Sequence, residues 1–167
     1  MKAESPIAMP RTLVAELGAL QGGVADTSTL IYLERLQLLG LAAQFFRLVV
    51  IPQVIREFGA RPPAAVVISE IQPGPADQAV CLAAVALDLP VFTEDRGIIR
   101  AAGRAGLSYY NTLMLLLAFH VQGRLDALAC RSAMNRLLGF ARYSPRVIAA
   151  GEAVWAAIRQ QPAEADS

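Results

Sequence analysis

The sequence predicts an α/β fold of the doubly wound class, and two observations support this prediction. Short, continuous apolar runs alternate along the chain with longer segments of helical character. The apolar runs, such as LVVI at 48–51, show no alternation of apolar and polar residues. Such strands are typical of a parallel sheet with helices on both faces, because both sides of each strand are then buried.

The individual elements follow from local signals. Leu13, Leu17 and Leu20 share one face of a short helix, which Gly22–Gly23 ends. The other predicted strands are GVAD (23–26), VVI (66–68), LPVFT (89–93) and LSYY (107–110). The other predicted helices lie at 30–40 (with Gly40 at the end), 52–58 (from Pro52, ending at Gly59), 73–90 (with Pro75 near the start), 95–106, 111–123, 125–139 and 144–159 (capped by Ser144).

The chain of 167 residues is long enough for one domain with a substantial core. We expect an N-terminal helical extension at 1–22, the main domain at 23–160 and a disordered tail at 161–167. The longest apolar run, Leu113–Phe119, is far shorter than the roughly 20 residues of a membrane span. Residues 1–20 lack the order of a signal peptide, so we expect a cytoplasmic protein without membrane contact.

The basic residues suit a phosphate-containing ligand, and the cysteines do not have the pattern of a zinc site. The formal net charge is +1, yet all but one of the fifteen basic residues are arginines, which suit bidentate phosphate contacts. The two cysteines, Cys81 and Cys130, lie in apolar stretches and lack the spacing of a zinc site. Buried free thiols are therefore expected.

Acidic residues follow the predicted strands at the edge where doubly wound sheets bind their ligands. Four carboxylates occupy such positions: Asp26, Glu57, Asp77 and Asp95. Carboxylates held together repel one another, and a Mg²⁺ or Mn²⁺ ion with its preference for oxygen ligands would relieve that repulsion. The pattern therefore predicts a metal site that activates water for attack on a phosphodiester.

Two other interpretations compete with the metal site. Each acid alone is equally consistent with a helix cap or turn residue. Other acidic α/β sites fit less well, because a receiver domain needs a lysine late in the sheet and the only lysine is Lys2. A haloacid-dehalogenase phosphatase needs Asp-x-Asp, whereas the sequence here is Asp26-Thr27-Ser28, and no phosphate-binding glycine motif occurs.

The sequence resembles PIN domains, and more closely their bacterial and archaeal VapC-like subfamily, over residues 23–155. Four segments carry the resemblance: VADTSTLIYLERLQLLGLAAQFF, VVIPQVIREF, PADQAVCLAAVALDLPVFTEDRGIIRAAGRAGL and NTLMLLLAFHVQGRLDAL. The resemblance implies a three-layer α/β/α fold with a parallel sheet of about five strands. It also implies a Mg²⁺- or Mn²⁺-dependent endoribonuclease that forms homodimers, acts on RNA and is the toxin of a toxin–antitoxin pair, inhibited by an antitoxin protein.

By this resemblance the four acids fall on the metal-binding and catalytic positions, and Thr112 falls on an auxiliary polar position. Three departures affect the site. Asp77 stands where the subfamily has a glutamate, Asn111 replaces a glycine, and Glu94 takes the first place of an Asp-Asp pair. The shortened third acid favours an alternative function, a catalytically weakened PIN-like module that binds nucleic acid or protein.

A basic helix face begins beside the predicted site. Arg96, Arg100 and Arg104 recur at intervals of four residues after Asp95. This spacing suits contacts to RNA phosphates, and it is equally typical of a solvated helix surface.

Overall fold

A computed structural model describes residues 10–64, 66–69 and 74–161 of the chain. The helices are α1 (Pro10–Ala19), α2 (Thr27–Arg35), α3 (Leu39–Phe45), α4 (Pro52–Phe58), α5 (Ala76–Leu87), α6 (Arg96–Arg104), α7 (Thr112–Val121), α8 (Ala127–Phe140) and α9 (Pro145–Gln160). The strands are β1 (Gly22–Ala25), β2 (Arg47–Val50), β3 (Val67–Ile68), β4 (Val91–Phe92) and β5 (Tyr109–Tyr110).

The strands form one sheet in the order β3-β2-β1-β4-β5, and every pairing is parallel. In register, Val24 of β1 lies beside Val49 of β2 on one side and Val91 of β4 on the other. The chain builds outward from β1 through β2 to β3 and then returns to the opposite side of β1. The prediction of an α/β chain with a helix-flanked parallel sheet is confirmed, and the strand order reverses between β1 and β4.

The sheet is buried as its apolar composition predicts. All four residues of β1 are buried, and Leu48, Val49 and Phe92 are fully inaccessible to solvent. The ring of Phe92 lies 5.9 Å from that of Phe46 and 6.5 Å from that of Tyr110, measured between centroids. Burial of aromatic rings contributes strongly to core stability, so β4 is firmly anchored beside β1.

The two glycines of β1 are required by space. A Cβ atom on Gly23 would lie 2.6 Å from the ring of Phe92, and one on Gly22 would collide with the backbone carbonyl of Arg47. Both neighbours belong to or adjoin the strands that flank β1. The small residues therefore let the central strand approach β2 and the Phe92 ring closely.

Helix boundaries agree with the sequence at α4 and differ at α2. Helix α4 begins with Pro52 and ends at Gly59, which has a left-handed φ of 71°. The predicted single helix at 30–40 is wrong, because α2 ends at Arg35 and Gly40 lies inside α3. Gln37 adopts a positive φ of 60° and produces the break without a glycine or proline.

The described residues form two compact units, one within residues 21–115 and the other from residues 10–20 together with 116–161. In the second unit, α1, which the sequence placed in an extension at 1–22, packs against α9. The Gln122 amide there donates to the carbonyls of Leu17 and Leu20 at 2.9 and 2.8 Å. The predicted tail, apart from Gln161, lies outside the described residues.

Trp155 of α9 contacts Arg131 of α8 within this second unit. The Arg131 guanidinium lies 4.7 Å from the Trp155 ring centroid and forms a bidentate ion pair with Glu152 at 2.7 and 2.9 Å. The ion pair raises the pKa of Arg131 and lowers that of Glu152, the hydrogen bond being the main cause.

Across the parts of the chain that the structure describes, no helix has the length and apolarity needed to span a membrane.

Candidate metal centre

Asp26 lies directly after β1, at the point where the strand order reverses. Its backbone N–H donates to the carbonyl of Phe92 at 3.0 Å, which extends the pairing of β1 with β4 by one step. Its side chain caps α2, and only 5% of the residue is exposed. Doubly wound sheets bind ligands in the crevice at this reversal, so Asp26 occupies the expected place for a site residue.

Two hydroxyl groups hold the Asp26 carboxylate. The N–H and the hydroxyl of Ser28 both donate to Oδ1 at 2.5 Å. The hydroxyl of Thr93, the residue after β4, donates to Oδ2 at 2.6 Å. The orientation of the carboxylate is therefore set from both sides of the sheet reversal.

Burial dominates the electrostatics of this carboxylate. Desolvation raises the pKa of Asp26 above its ordinary value, and the hydrogen bonds from Ser28 and Thr93 only partly oppose that rise. Burial disfavours a charged group that has no compensating counter-ion. A bound cation would remove this penalty, so the site is electrostatically suited to a positive ligand.

Glu57 approaches the same region from α4. It lies in the last turns of the helix that follows β2, and it is solvent-exposed. Its Oε2 accepts a hydrogen bond from the hydroxyl of Thr27 at 2.8 Å. Because Thr27 follows Asp26 in the chain, this contact holds the second carboxylate beside the first.

Asp95 completes the group from the β4 side. Its Oδ1 accepts from the N–H of Ile98 at 3.0 Å and caps α6, while its own N–H donates to the Thr93 hydroxyl at 3.0 Å. The capping role that the sequence allowed for Asp95 is therefore present. Asp95 is exposed, and one hydroxyl group, that of Thr93, contacts both Asp95 and Asp26.

These three acids line one open cavity of about 480 Å³. Its lining consists of Asp26, Thr27, Ser28, Ile31, Val54, Glu57, Val80, Asp95 and Ile98. Asp26 and Asp95 follow β1 and β4, Thr27 and Ser28 begin α2, and Glu57 comes from α4. The four aliphatic side chains come from α2, α4, α5 and α6. The fourth predicted acid, Asp77, lies in the first turn of α5, but its side chain lies outside the described residues.

The carboxylates share a cavity without forming a closed coordination shell. Among side chains that the structure describes, no three His, Cys, Asp or Glu residues form a metal-ligand group. The donors are all oxygen atoms, which suits a hard cation, and Mg²⁺ commonly binds one or two carboxylates and retains several waters. The residues present therefore fit Mg²⁺ or Mn²⁺ with a largely hydrated shell, held chiefly by Asp26 with Glu57 and Asp95.

Thr112 contacts Glu94, an acid outside the four predicted ligands. It is fully buried, and its N–H and hydroxyl donate to Oε1 of Glu94 at 2.6 and 2.5 Å. The Glu94 N–H in turn donates to the Ser28 hydroxyl at 3.1 Å. Thr112 thus contacts Glu94 at the start of α7, and it does not belong to the described lining of the cavity.

The predicted basic face exists as a geometric feature. Arg96, Arg100 and Arg104 are all exposed on α6, which begins directly after Asp95. Arg96 is closest along the helix to the cavity. Arg104, at the far end of α6, borders a second, apolar groove with Leu82 and Val85 of α5.

The sequence interpretation assigned no role to Thr93 or Ser28 in holding Asp26. A signal for Thr93 was available, since a hydroxyl residue directly after an apolar strand and before an acidic pair is well placed to hydrogen-bond carboxylates. Ser28 follows Asp26 by two residues, a spacing typical of a local helix-cap contact. The Ser28 contact is local, whereas Thr93 reaches Asp26 only because β4 pairs with β1, and the sequence did not reveal that strand order.

No protein-family model, curated protein or solved structure matches this chain. A functional assignment therefore rests on the residues and geometry of the site.

Proposed function

We propose that this chain is a divalent-metal-dependent endoribonuclease, with Asp26, Glu57 and Asp95 as the residues that hold Mg²⁺ or Mn²⁺. The observation that carries the proposal is the convergence of these three carboxylates, separated by up to 69 positions in the sequence, on one open cavity at the sheet reversal. Asp77 is included as a fourth ligand because the PIN resemblance places it there. The same proposal includes a PIN-like arrangement of the helices and the sheet in three layers.

We assign a different role to each group of residues at the site. Asp26, fixed by two hydroxyls, would be the most rigid ligand, and Glu57 and Asp95 would contribute from more exposed positions. The bound cation would supply an activated water and would offset the charge that builds up on the phosphodiester. The arginine face of α6 would hold the RNA backbone beside the cavity.

A cleavage assay with matched substitutions tests this function. RNA should be cut in the presence of Mn²⁺ and left intact with EDTA. Asp26→Asn should abolish cleavage because it removes the buried negative charge. Asp126→Asn is the control, since Asp126 only caps α8 through the Ala129 N–H at 2.7 Å. Cleavage that survives both EDTA and Asp26→Asn would contradict the proposal.

The second candidate is a PIN-like module that binds nucleic acid or protein without turnover. The absence of a three-carboxylate ligand group among the described side chains favours it. A Mn²⁺ soak separates the two candidates, because an intact centre gives anomalous density between Asp26, Glu57 and Asp95. RNA binding with no such density at millimolar Mn²⁺ would establish the non-catalytic module.

The partners implied by the resemblance, an antitoxin protein and a second copy of the chain, are extensions of this proposal. Light scattering of the purified protein gives the oligomeric state directly. A dimer is expected, and a monomer at micromolar concentration would remove the homodimer from the proposal.

A further inference from the structure

Thr93 is the buried residue that joins the two sides of the sheet reversal. It follows β4 directly, none of its surface is exposed, and its N–H donates to the carbonyl of Tyr110 at 3.1 Å. The backbone of Thr93 is thus fixed by β5, while its side chain points toward Asp26 at the end of β1. Because the backbone is held by β5 and the side chain is buried, the position of this hydroxyl is well defined.

The hydroxyl has a single arrangement of donor and acceptor. Its proton goes to Oδ2 of Asp26 at 2.6 Å, because an ionised carboxylate can only accept. Its oxygen therefore accepts the N–H of Asp95 at 3.0 Å. One atom thus determines both where the Asp26 carboxylate points and where the backbone leading to the Asp95 side chain lies.

The two oxygens of Asp26 are held unequally. Oδ1 accepts both the N–H and the hydroxyl of Ser28, whereas Oδ2 accepts, among the described residues, the Thr93 hydroxyl alone. A carboxylate oxygen has about two lone pairs, so Oδ2 keeps one for a further partner. The contact with Thr93 fixes the direction of that remaining lone pair.

We propose that Thr93 is a positioning residue of the metal centre, whose hydroxyl fixes the Asp26 carboxylate relative to the backbone of Asp95. The inference rests on the proposed metal-dependent function and adds to it a residue outside the four acids and Thr112. Groups that orient metal ligands by hydrogen bonds commonly change metal affinity by about 10- to 100-fold when they are removed.

Three substitutions separate positioning from packing. Thr93→Val keeps the shape and removes the hydroxyl, whereas Thr93→Ser keeps the hydroxyl and removes a methyl group. Thr29→Val is the matched control, because Thr29 is equally buried and its hydroxyl has no hydrogen-bond partner among the described residues. Mn²⁺ affinity, measured by electron paramagnetic resonance, should fall about 10- to 100-fold in Thr93→Val. It should stay close to the wild-type value in Thr93→Ser and Thr29→Val.

A wild-type Mn²⁺ affinity in folded Thr93→Val would overturn the inference. If Thr93→Val does not fold, Thr93→Ser decides the question, because loss of affinity in a variant that retains the hydroxyl would assign Thr93 to packing. Retained affinity there supports positioning.

A second measurement keeps failure of the inference distinct from failure of the proposed function. Amide hydrogen exchange at Asp95, followed in the metal-free protein, should be faster in Thr93→Val because the N–H loses its acceptor. Unchanged exchange would refute the contact itself. Faster exchange combined with no Mn²⁺ binding by the wild type would instead refute the proposed function, and with it the metal-centre role of Thr93.

Discussion

Glu57 accepts a hydrogen bond from the hydroxyl of Thr27 at 2.8 Å, although the two residues lie on different helices and thirty positions apart. The contact joins α4 to the start of α2. It places an exposed carboxylate beside the buried carboxylate of Asp26. The two acids therefore differ in burial, and substitutions at the two positions should have different effects on stability.

Glu57→Gln should separate activity from stability. The amide keeps an acceptor for Thr27 but removes the negative charge, so metal-dependent RNA cleavage should fall by about 100-fold or more, the scale of one lost electrostatic contact. Because Glu57 is exposed, the free energy of unfolding should change by less than about 0.5 kcal/mol. Cleavage rates with Mn²⁺ and urea unfolding measure the two effects. Glu34→Gln, on the exposed surface of α2, is the control; full activity in Glu57→Gln would exclude Glu57 as a ligand.

Asp26→Asn should alter how stability depends on pH. Since burial raises the pKa of Asp26 in the folded protein, the unfolded chain releases this proton first as the pH rises. The free energy of unfolding therefore falls as the pH rises from about 3.9, the ordinary aspartate value, to the pKa of Asp26 in the folded protein. Above that pKa the reduction is constant. The asparagine variant lacks this loss, so its stability relative to wild type should increase across that range in EDTA.

Urea unfolding at a series of pH values measures this difference, and the other titrating groups cancel between the two proteins. Adding Mn²⁺ at neutral pH should then stabilise only the wild type, by about 2.7 kcal/mol at a hundredfold excess over Kd. A stability difference that does not vary with pH would show that Asp26 titrates as an exposed group.

Arg100→Gln should reduce the salt dependence of RNA binding. Each phosphate contact to single-stranded nucleic acid contributes about 0.7 to the slope of log affinity against log salt concentration. Arg100 lies in the middle of the exposed basic face of α6. Fluorescence anisotropy of a labelled RNA in EDTA, over a range of salt concentrations, should show a slope smaller by about that amount. Arg142→Gln, an exposed arginine outside this face, should leave the slope unchanged; equal slopes for the two variants would remove α6 from the RNA path.

Gly22→Ala and Gly40→Ala should shift stability in opposite directions. A methyl group at Gly22 collides with the Arg47 carbonyl of the neighbouring strand, and such overpacking costs about 1–3 kcal/mol. At Gly40 nothing lies within 4 Å of the added atom, and alanine in a helix is favoured over glycine by about 0.5–1 kcal/mol. The pair, compared by urea unfolding, tests the close approach of β1 and β2. Equal stabilisation by both would contradict that approach.

Elements with strong local signals could be predicted from the sequence. Pro52 and Gly59 delimit α4, and the apolar runs at β1 and β2 correctly indicated a parallel sheet. The break between α2 and α3 could not be predicted, because Gln37 takes its left-handed conformation in a Leu-Gln-Leu-Leu stretch that has no helix-breaking residue. Local propensity there favours one continuous helix, and tertiary packing overrides it.

Part of the candidate site could likewise be predicted from the sequence, and part could not. Asp26, Glu57 and Asp95 could be placed on one sheet edge because parallel strands bring their carboxyl ends together. Their mutual distances could not, since these depend on which strands are neighbours. The pairing of β1 with β4 brings Thr93 to Asp26, and the start of α7 brings Thr112 to Glu94. Hydrogen bonds between residues so distant in sequence carry no local pattern.

The packing of α1 on α9 has a consequence for synthesis of the protein. Translation makes α1 first and α9 last among the described helices, so the contacts between α1 and α9 form only after the intervening residues have been produced. Val14 and Leu17 of α1 are buried in the folded chain, and the packing of α1 is incomplete until α9 has been made. We expect folding of this unit to be slow relative to its helix content, because a long stretch of chain must close into a loop before α1 and α9 meet. Chains shortened before Pro145 should consequently be targets for chaperones and proteases.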